Sequence, residues 1–202
     1  MPFIGYIDGV DNLPFEWIGG DRSIDFHNTV TWGRGVLTEE RFRSPQNVRE
    51  WARGAGLSPP TGSGKLLADT LALREALHAI FFPISIGRAP GAKDLAGFDG
   101  FLRRAAAEVR LERDRRGFRW AFSRAGRLDP VLAEVVWSAA HLLASPEIER
   151  LRACANPTCG WVFLDRSRRG NRKWCEMREC GNRAKARRYY RRHRAPKVGS
   201  TG

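Results

Sequence analysis

The chain has 202 residues, with 35 Lys and Arg against 22 Asp and Glu, a net charge of +13 and a sequence pI near 10.7. That length suits one ordinary domain plus a small module, or one larger domain, and no apolar run reaches bilayer-spanning length. From Arg150 onward 16 basic residues stand against 3 acidic ones, whereas the first 149 residues hold 19 of each sign, so a neutral body is joined to a basic segment.

In chain order, residues 1–22 are rich in Gly and Pro and read as an extended arm. Met1 to Val10 lacks a basic stretch followed by an apolar one, which argues against a secretory signal and for a reducing cytoplasm. From Ile24 the residues alternate: Ile24, Phe26, Val30 and Trp32 would share one face of a strand, with Asp25, His27, Thr29 and Thr31 on the other. Asn28 would then fall on the apolar face and need partners there. Ser44-Pro45 starts a short helix carrying Val48, Trp51 and Ala52.

After the turn-rich stretch Leu57 to Gly64, a long helix is expected from about Lys65 to Phe81, with Leu66, Leu73, Leu77, Ile80 and Phe81 at core spacing. Asp94 can cap a further helix through Leu95, Phe98, Leu102, Ala105 and Val109. Gly117 to Phe122 reads as an aromatic strand. Asp129-Pro130 restarts a helix with Leu132, Val135, Val136, Ala139, Leu142 and Leu143 on its apolar face, and Ser145-Pro146 marks a break or a new N-cap. The divisions are an arm over 1–22, a body over 23–148, a cysteine module over 149–195 and a disordered tail over 196–202. The fold class is α+β: a predominantly helical N-terminal domain with a few strands, plus a small C-terminal four-cysteine module.

The cysteines of that module, Cys154, Cys159, Cys175 and Cys180, are spaced C-x4-C-x15-C-x4-C. In a reducing compartment such a cluster favours metal over disulfides, and four thiolates suit one structural Zn2+ with no position open to substrate. Turn-formers Asn156-Pro157-Thr158 and Gly160 allow a knuckle around the first pair. Trp161 to Leu164 and Arg172 to Cys175 would form a hairpin turning at Arg168 to Asn171, and a helix would follow Cys180. This knuckle, hairpin and helix are too small for a core of their own, so metal would supply much of the folding energy.

The helix after Cys180 carries Arg183, Lys185, Arg187, Arg188, Arg191, Arg192 and Arg194 without a carboxylate. Guanidinium forks suit phosphate. Tyr189 and Tyr190 would pack on the hairpin in preference to stacking on bases. Gly181 allows a tight turn, Asn182 can cap the helix or donate to a sulfur, and Arg183 can bond hairpin carbonyls, so Gly181, Asn182 and Arg183 read as structural. Lys185, Arg187, Arg188, Arg191, Arg192 and Arg194 remain as the phosphate candidates.

The stretch from Arg152 to Asp165, then Arg172 to Cys175, and Cys180-Gly181-Asn182-Arg183 with Ala184 to Arg187 resemble the CGNR zinc finger. The body resembles the ABATE domain that commonly precedes it, on the strength of Ile24-Asp25-Phe26-His27-Asn28-Thr29, where His27 replaces the usual apolar residue. The resemblance implies a bacterial, stress-induced transcription regulator with its four cysteines on zinc and its finger on DNA. It brings no ligand or reaction for the body.

Thr61-Gly62-Ser63-Gly64-Lys65 is similar to a phosphate-binding loop, but Pro59 stands where the first glycine belongs and Leu66 where the hydroxyl does, which argues against nucleotide hydrolysis. His27, His78, His141 and His193 are scattered in sequence. Asp25, His27, Asn28 and Thr29 could line a small-molecule pocket or knit the arm and loops to the core; the second reading is favoured. Three functions compete: a DNA-binding regulator, an RNA- or ribosome-associated zinc protein, and an enzyme with its site near Asp25, His27 and Asn28. The first is favoured, with DNA over RNA, no membrane, no catalysis, and a homodimer and a small-molecule effector left open.

Overall fold

The computed structural model describes residues 15–33, 37–62, 64–115, 117–123 and 126–193. Helices dominate: α1 (Arg22–His27), α2 (Pro45–Gly54), α3 (Leu66–Ser85), α4 (Ala92–Ala106), α5 (Pro130–Leu143) and α6 (Asn182–His193). Among the described residues six short strands form three antiparallel pairs: β1 (Val30–Thr31) with β2 (Glu39–Glu40), β3 (Val109–Asp114) with β4 (Gly117–Phe122), and β5 (Leu151–Ala153) with β6 (Val162–Leu164). A 3-10 turn (Pro146–Arg150), with Ser145 accepting from the Glu147 amide, leads from α5 into β5.

The segment expected as a strand from Ile24 is instead the short helix α1, and only Val30 and Thr31 are extended. Asp21 caps α1, its carboxylate accepting from the Ser23 amide at 2.8 Å, which satisfies one otherwise orphan donor. Ser23, Ile24, Phe26, His27, Asn28 and Thr29 are all buried. In six residues enclosed on almost every side, an apolar residue at every second position does not separate period 2 from period 3.6.

Helix α3 lies at the centre, touching α1, α2, α4, α5 and the β5–β6 pair. It runs past the expected Phe81, through Pro83, and closes with the Ile86 and Arg88 amides on the Pro83 carbonyl before Gly87 turns at φ 76°. Leu73, Leu77, Ile80 and Phe81 meet Ile24 and Phe26 of α1, Trp51 of α2, and Leu132, Val135, Val136 and Ala139 of α5 in one core. Phe15 and Trp17, from the expected arm, pack on the same core, with Trp17 against Trp51 at 5.7 Å between ring centroids. Asp94 acts at the third position of α4, accepting from the Gly91 amide. Asp129 caps α5 through the Val131 amide. Ser44 precedes Pro45 as expected, but its hydroxyl bonds the Asn47 side chain rather than a helix amide.

Val109, expected on α4, instead opens the β3–β4 hairpin, which supplies a partner for the aromatic strand Gly117–Phe122. The expected hairpin of the cysteine module is also different. Val162–Leu164 pairs with Leu151–Ala153, and the stretch from Arg172 is joined through the Ala155 amide on the Lys173 carbonyl and the Arg172 amide on Asp165. Leu151, Val162 and Leu164 belong to the main core, so β6 is drawn to the strand that borders α3.

The module is therefore fastened to the body along its whole strand pair. The Asn28 amide donates to the Val162 carbonyl at 2.9 Å, and its carbonyl accepts from the Val162 amide at 3.1 Å. Trp161 Nε1 donates to the Val30 carbonyl, the Trp32 amide to the Cys159 carbonyl, and the Leu164 amide to the Gly19 carbonyl. Gly160 turns at φ 71° against Trp32, and a Cβ there would lie 2.5 Å from the Trp32 Cβ.

Candidate metal centre and basic helix

Four segments bring the cysteines together. Cys154 follows β5, with its amide on the Trp161 carbonyl; Cys159 ends the knuckle, with its amide on the Asn156 carbonyl; Cys175 ends the return stretch; Cys180 lies in a π-helical turn (Met177–Gly181) before α6. All four are buried, and their sulfurs lie within 4.8 Å of one another. Four thiolates about 2.3 Å from one zinc stand about 3.8 Å apart at the corners of a tetrahedron. Cys159 and Cys175 are 3.7 Å apart and Cys175 and Cys180 3.6 Å, whereas a disulfide needs about 2.0 Å. The set fits one structural Zn2+ closed on all sides, where the metal would supply cross-linking and folding energy, not reaction chemistry.

The surrounding polar groups suit a thiolate cluster. Asn156, buried, donates from Nδ2 to Cys180 Sγ at 3.3 Å, while its Oδ1 accepts from Thr158 and from Arg187 Nη2 at 3.1 Å. Asn182, expected to cap the helix or donate to a sulfur, instead donates to the Arg178 carbonyl at 2.9 Å and ties the π-helical turn to α6. Gly181 sits in that turn; a Cβ there would meet Met177 Sδ at 2.3 Å.

The arginine that bonds carbonyls around the metal is Arg172, not Arg183. Its Nε donates to the Trp174 carbonyl and its Nη2 to those of Cys175 and Ile18, with the guanidinium 4.2 Å above the Phe163 ring. Arg183 extends outward to Glu179 at 2.9 Å. Asp165 organises the neighbouring turn: it is buried, which disfavours its charge, but Ser167 and the Ser167 and Arg172 amides donate to it and hold it below the usual carboxylate range.

Helix α6 buries no residue and carries no acidic residue in its first turn. Lys185, Arg187, Arg188, Arg191 and Arg192 are exposed along it, with Arg187 also bound to Asn156; Arg194 lies outside the described residues. Tyr189 and Tyr190, expected to pack on the hairpin, are 58% and 60% exposed and touch each other and, for Tyr189, His193.

In the body, each member of the Asp25–Thr29 cluster has an in-chain partner. Asp25 accepts from the Gly19 amide at 2.8 Å, and burial pushes its carboxyl up to about 7. Thr29 donates to the Phe26 carbonyl and accepts from Arg74, itself buried and paired through both terminal nitrogens with Glu40. The histidines that look scattered in sequence include one pair in contact: His27 Nε2 lies 3.0 Å from His78 Nδ1, and His27 Nδ1 lies 3.0 Å from Asn28 Oδ1.

Because Asn28 Oδ1 already faces the Val162 N–H, it is an acceptor; His27 Nδ1 must carry the proton, and His78 Nδ1 must donate to His27 Nε2. Burial, and the adjacent His78, lower His27 to about 3; burial, and then Arg74, lower His78 to about 4. Trp32 stacks on His78 with ring centroids 4.2 Å apart. The loop around Thr61 to Lys65 borders a cavity of about 270 Å3 shared with Asp69 and Asp129.

Two family models match the chain, one over the body and one over the cysteine module. Residues 20–146, containing α1 to α5, match the ABATE family, described as "Putative stress-induced transcription regulator". The chain belongs to the ABATE family. Residues 150–193, containing all four cysteines and α6, match the CGNR zinc finger. A search of curated proteins finds no match. The ABATE match begins beside Gly19 and Asp21, where the chain enters α1, and the finger match begins at the end of the 3-10 turn.

Sequence reasoning found the cysteines and the basic helix but missed Asn156, Arg172 and the His27–His78 contact. Asn156 had a local signal, an amide inside the first C-x4-C loop. Arg172, two residues before Trp174 in the stretch similar to the finger, is one of many arginines there, and its type alone does not mark it. His78 is 51 residues from His27, and nothing local connects them.

Proposed function

We propose that this ABATE protein is a cytoplasmic, bacterial regulator of transcription under stress, which binds DNA through α6 and does not catalyse a reaction. The observation that carries this reading is the row Lys185, Arg187, Arg188, Arg191 and Arg192, exposed on a helix without a carboxylate and held by a four-cysteine centre. If about six cations neutralise phosphates, log affinity falls with log salt at a slope near −5 on duplex DNA. Among the described residues no helix is long and apolar enough to cross a membrane.

The cluster Asp25, His27, Asn28 and Thr29 favours a structural role over a ligand pocket or active site, because its polar atoms already pair within the chain. Any effector would act elsewhere on the body. One finger offers few base contacts, so a defined operator would call for a second copy or a partner.

Binding of the zinc-loaded chain to a matched duplex DNA and duplex RNA over a salt series tests the proposal. A steep salt slope with DNA at least as tight as RNA supports it. A strong RNA preference would move the assignment to the RNA- or ribosome-associated reading, and the absence of salt-dependent binding to either would remove it.

A further inference from the structure

Between the zinc knuckle and α6 lies a groove of about 620 Å3. Its walls are Ala155 and Pro157 of the knuckle, Trp174 of the return stretch, and Ala184 and Tyr190 of α6. Arg187, Arg188 and Arg191 stand around it, and among the described residues no carboxylate lines it. Ala184, Arg187, Arg188 and Arg191 are three, four and seven residues apart, the spacing that places side chains on one helical face.

The two aromatic walls differ in how they are held. Trp174 packs on the cysteine cluster, and its carbonyl accepts from Arg172 Nε, so the metal centre and Arg172 together fix it. Tyr190 projects from α6, edge-to-face with the Tyr189 ring at 5.9 Å between centroids and with most of its surface open. Small residues, Ala155 and Ala184, leave the space between them unfilled. An aromatic-walled opening with three guanidinium groups and no acid selects a flat, apolar group that carries negative charge beside it. A second copy of this chain is disfavoured as occupant, since it would bring another strongly basic finger to the same place.

We propose that this groove receives an unstacked nucleobase, with the phosphates on either side of it held by Arg187, Arg188 and Arg191. The inference rests on the finger being the nucleic-acid-binding module and adds to it the form of ligand: a strand with an unpaired base, in preference to continuous duplex. In a duplex both faces of each base are covered by stacking, whereas single strands offer a free face to aromatic side chains. Arg187 suits this role because one of its nitrogens is already held by Asn156, which orients the remaining donors.

The test uses the full zinc-loaded chain and four probes of about a dozen nucleotides: a deoxyuridine strand, the corresponding uridine strand, an abasic strand of equal phosphate count, and a duplex. Fluorescence anisotropy at fixed salt should show a base-bearing strand bound about tenfold or more tighter than the abasic strand. Tyr190→Ala should remove most of that difference and leave binding to the abasic strand and its salt slope unchanged. Trp174→Ala should act in the same direction, with zinc content measured alongside. If that variant loses its metal, Tyr190→Ala, a substitution on an exposed position, decides alone.

The deoxyuridine and uridine arms, which differ only in the 2′-hydroxyl, identify which sugar is preferred, and a duplex bound as tightly as the free strand would overturn the groove. Equal affinity for base-bearing and abasic strands, with salt dependence intact, would overturn the groove and leave a phosphate-binding finger. No salt-dependent affinity for any probe would overturn the nucleic-acid reading together with the groove.

Discussion

The Asn28 carboxamide lies along the backbone of Val162, donating to its carbonyl at 2.9 Å and accepting from its amide at 3.1 Å. A side chain of the ABATE region thereby supplies the pairing that a neighbouring strand would otherwise give to β6, and does so from 134 residues away in sequence.

Asn28→Ala should leave both polar groups of buried Val162 unpaired, along with the His27 N–H. Unpaired buried groups cost about 1–3 kcal/mol each, so a loss of about 3–9 kcal/mol is expected by urea denaturation. Retained stability with loss of some measurable turnover would instead support an active site at this cluster.

Because β5 and β6 share the body's core, zinc removal should weaken the whole chain rather than the finger alone. A loss of about 5 kcal/mol corresponds to a fall in melting temperature of about 10–20 °C for a chain of this size. Cys159→Ser or strong chelation should produce that shift with one transition by calorimetry. Two separate transitions, with the upper one unmoved, would show the parts to be independent.

His27 and His78 should cost the fold stability in mild acid. His27 and His78, with ordinary values of 6.5, are lowered to about 3 and about 4 by burial, with His78 next in importance for His27 and Arg74 for His78. Both are neutral when folded and protonated when unfolded at pH 5, so their contribution is full above about 6.5 and is lost as pH falls toward 4. Asp25 works the other way: burial raises it from 3.8 to about 7, so its contribution is full below about 3.8 and is lost as pH rises through 7. Glu16 and Glu134, also raised by burial, act in the same direction as Asp25. Asp25→Asn should shift the slope of stability against pH by about one proton toward the histidines, read from denaturation midpoints at pH 5 and 6.

Gly160→Ala should damage the knuckle from the body side. The residue has φ 71°, and its new Cβ would meet the Trp32 Cβ at 2.5 Å and the Trp32 carbonyl at 2.8 Å. Left-handed backbone costs a non-glycine residue about 1–2 kcal/mol before any clash. Weaker zinc retention against a chelator is the expected readout, and unchanged retention would show that Trp32 yields easily.

What could be read in the sequence was what repeats locally. The x4 cysteine spacings, the uninterrupted basic stretch after Cys180, and the apolar periodicity of Leu73 to Phe81 and Leu132 to Leu142 each lie within one element. Asp129-Pro130 and Ser145-Pro146 mark their starts by their own chemistry. The misread segments depend on distant partners. Ile24 to His27 became helical because Asp21 caps it and the core encloses it, and Val162–Leu164 chose Leu151–Ala153 over the nearer Arg172–Cys175 because Leu151 and Leu164 border α3. Arg172 and Arg183 are indistinguishable by residue type, and only packing against Phe163 separates them.

The two family matches meet between residues 146 and 150, which invites cutting the chain there. Such a cut would pass through a shared interior. The upstream piece would lose Leu151, Val162 and Leu164 from its core, and the downstream piece would carry those side chains into water with Trp161 deprived of the Val30 carbonyl. Either fragment made alone would present a fresh greasy face to its neighbours, so a reporter fusion or affinity handle belongs at a chain end and never at this seam.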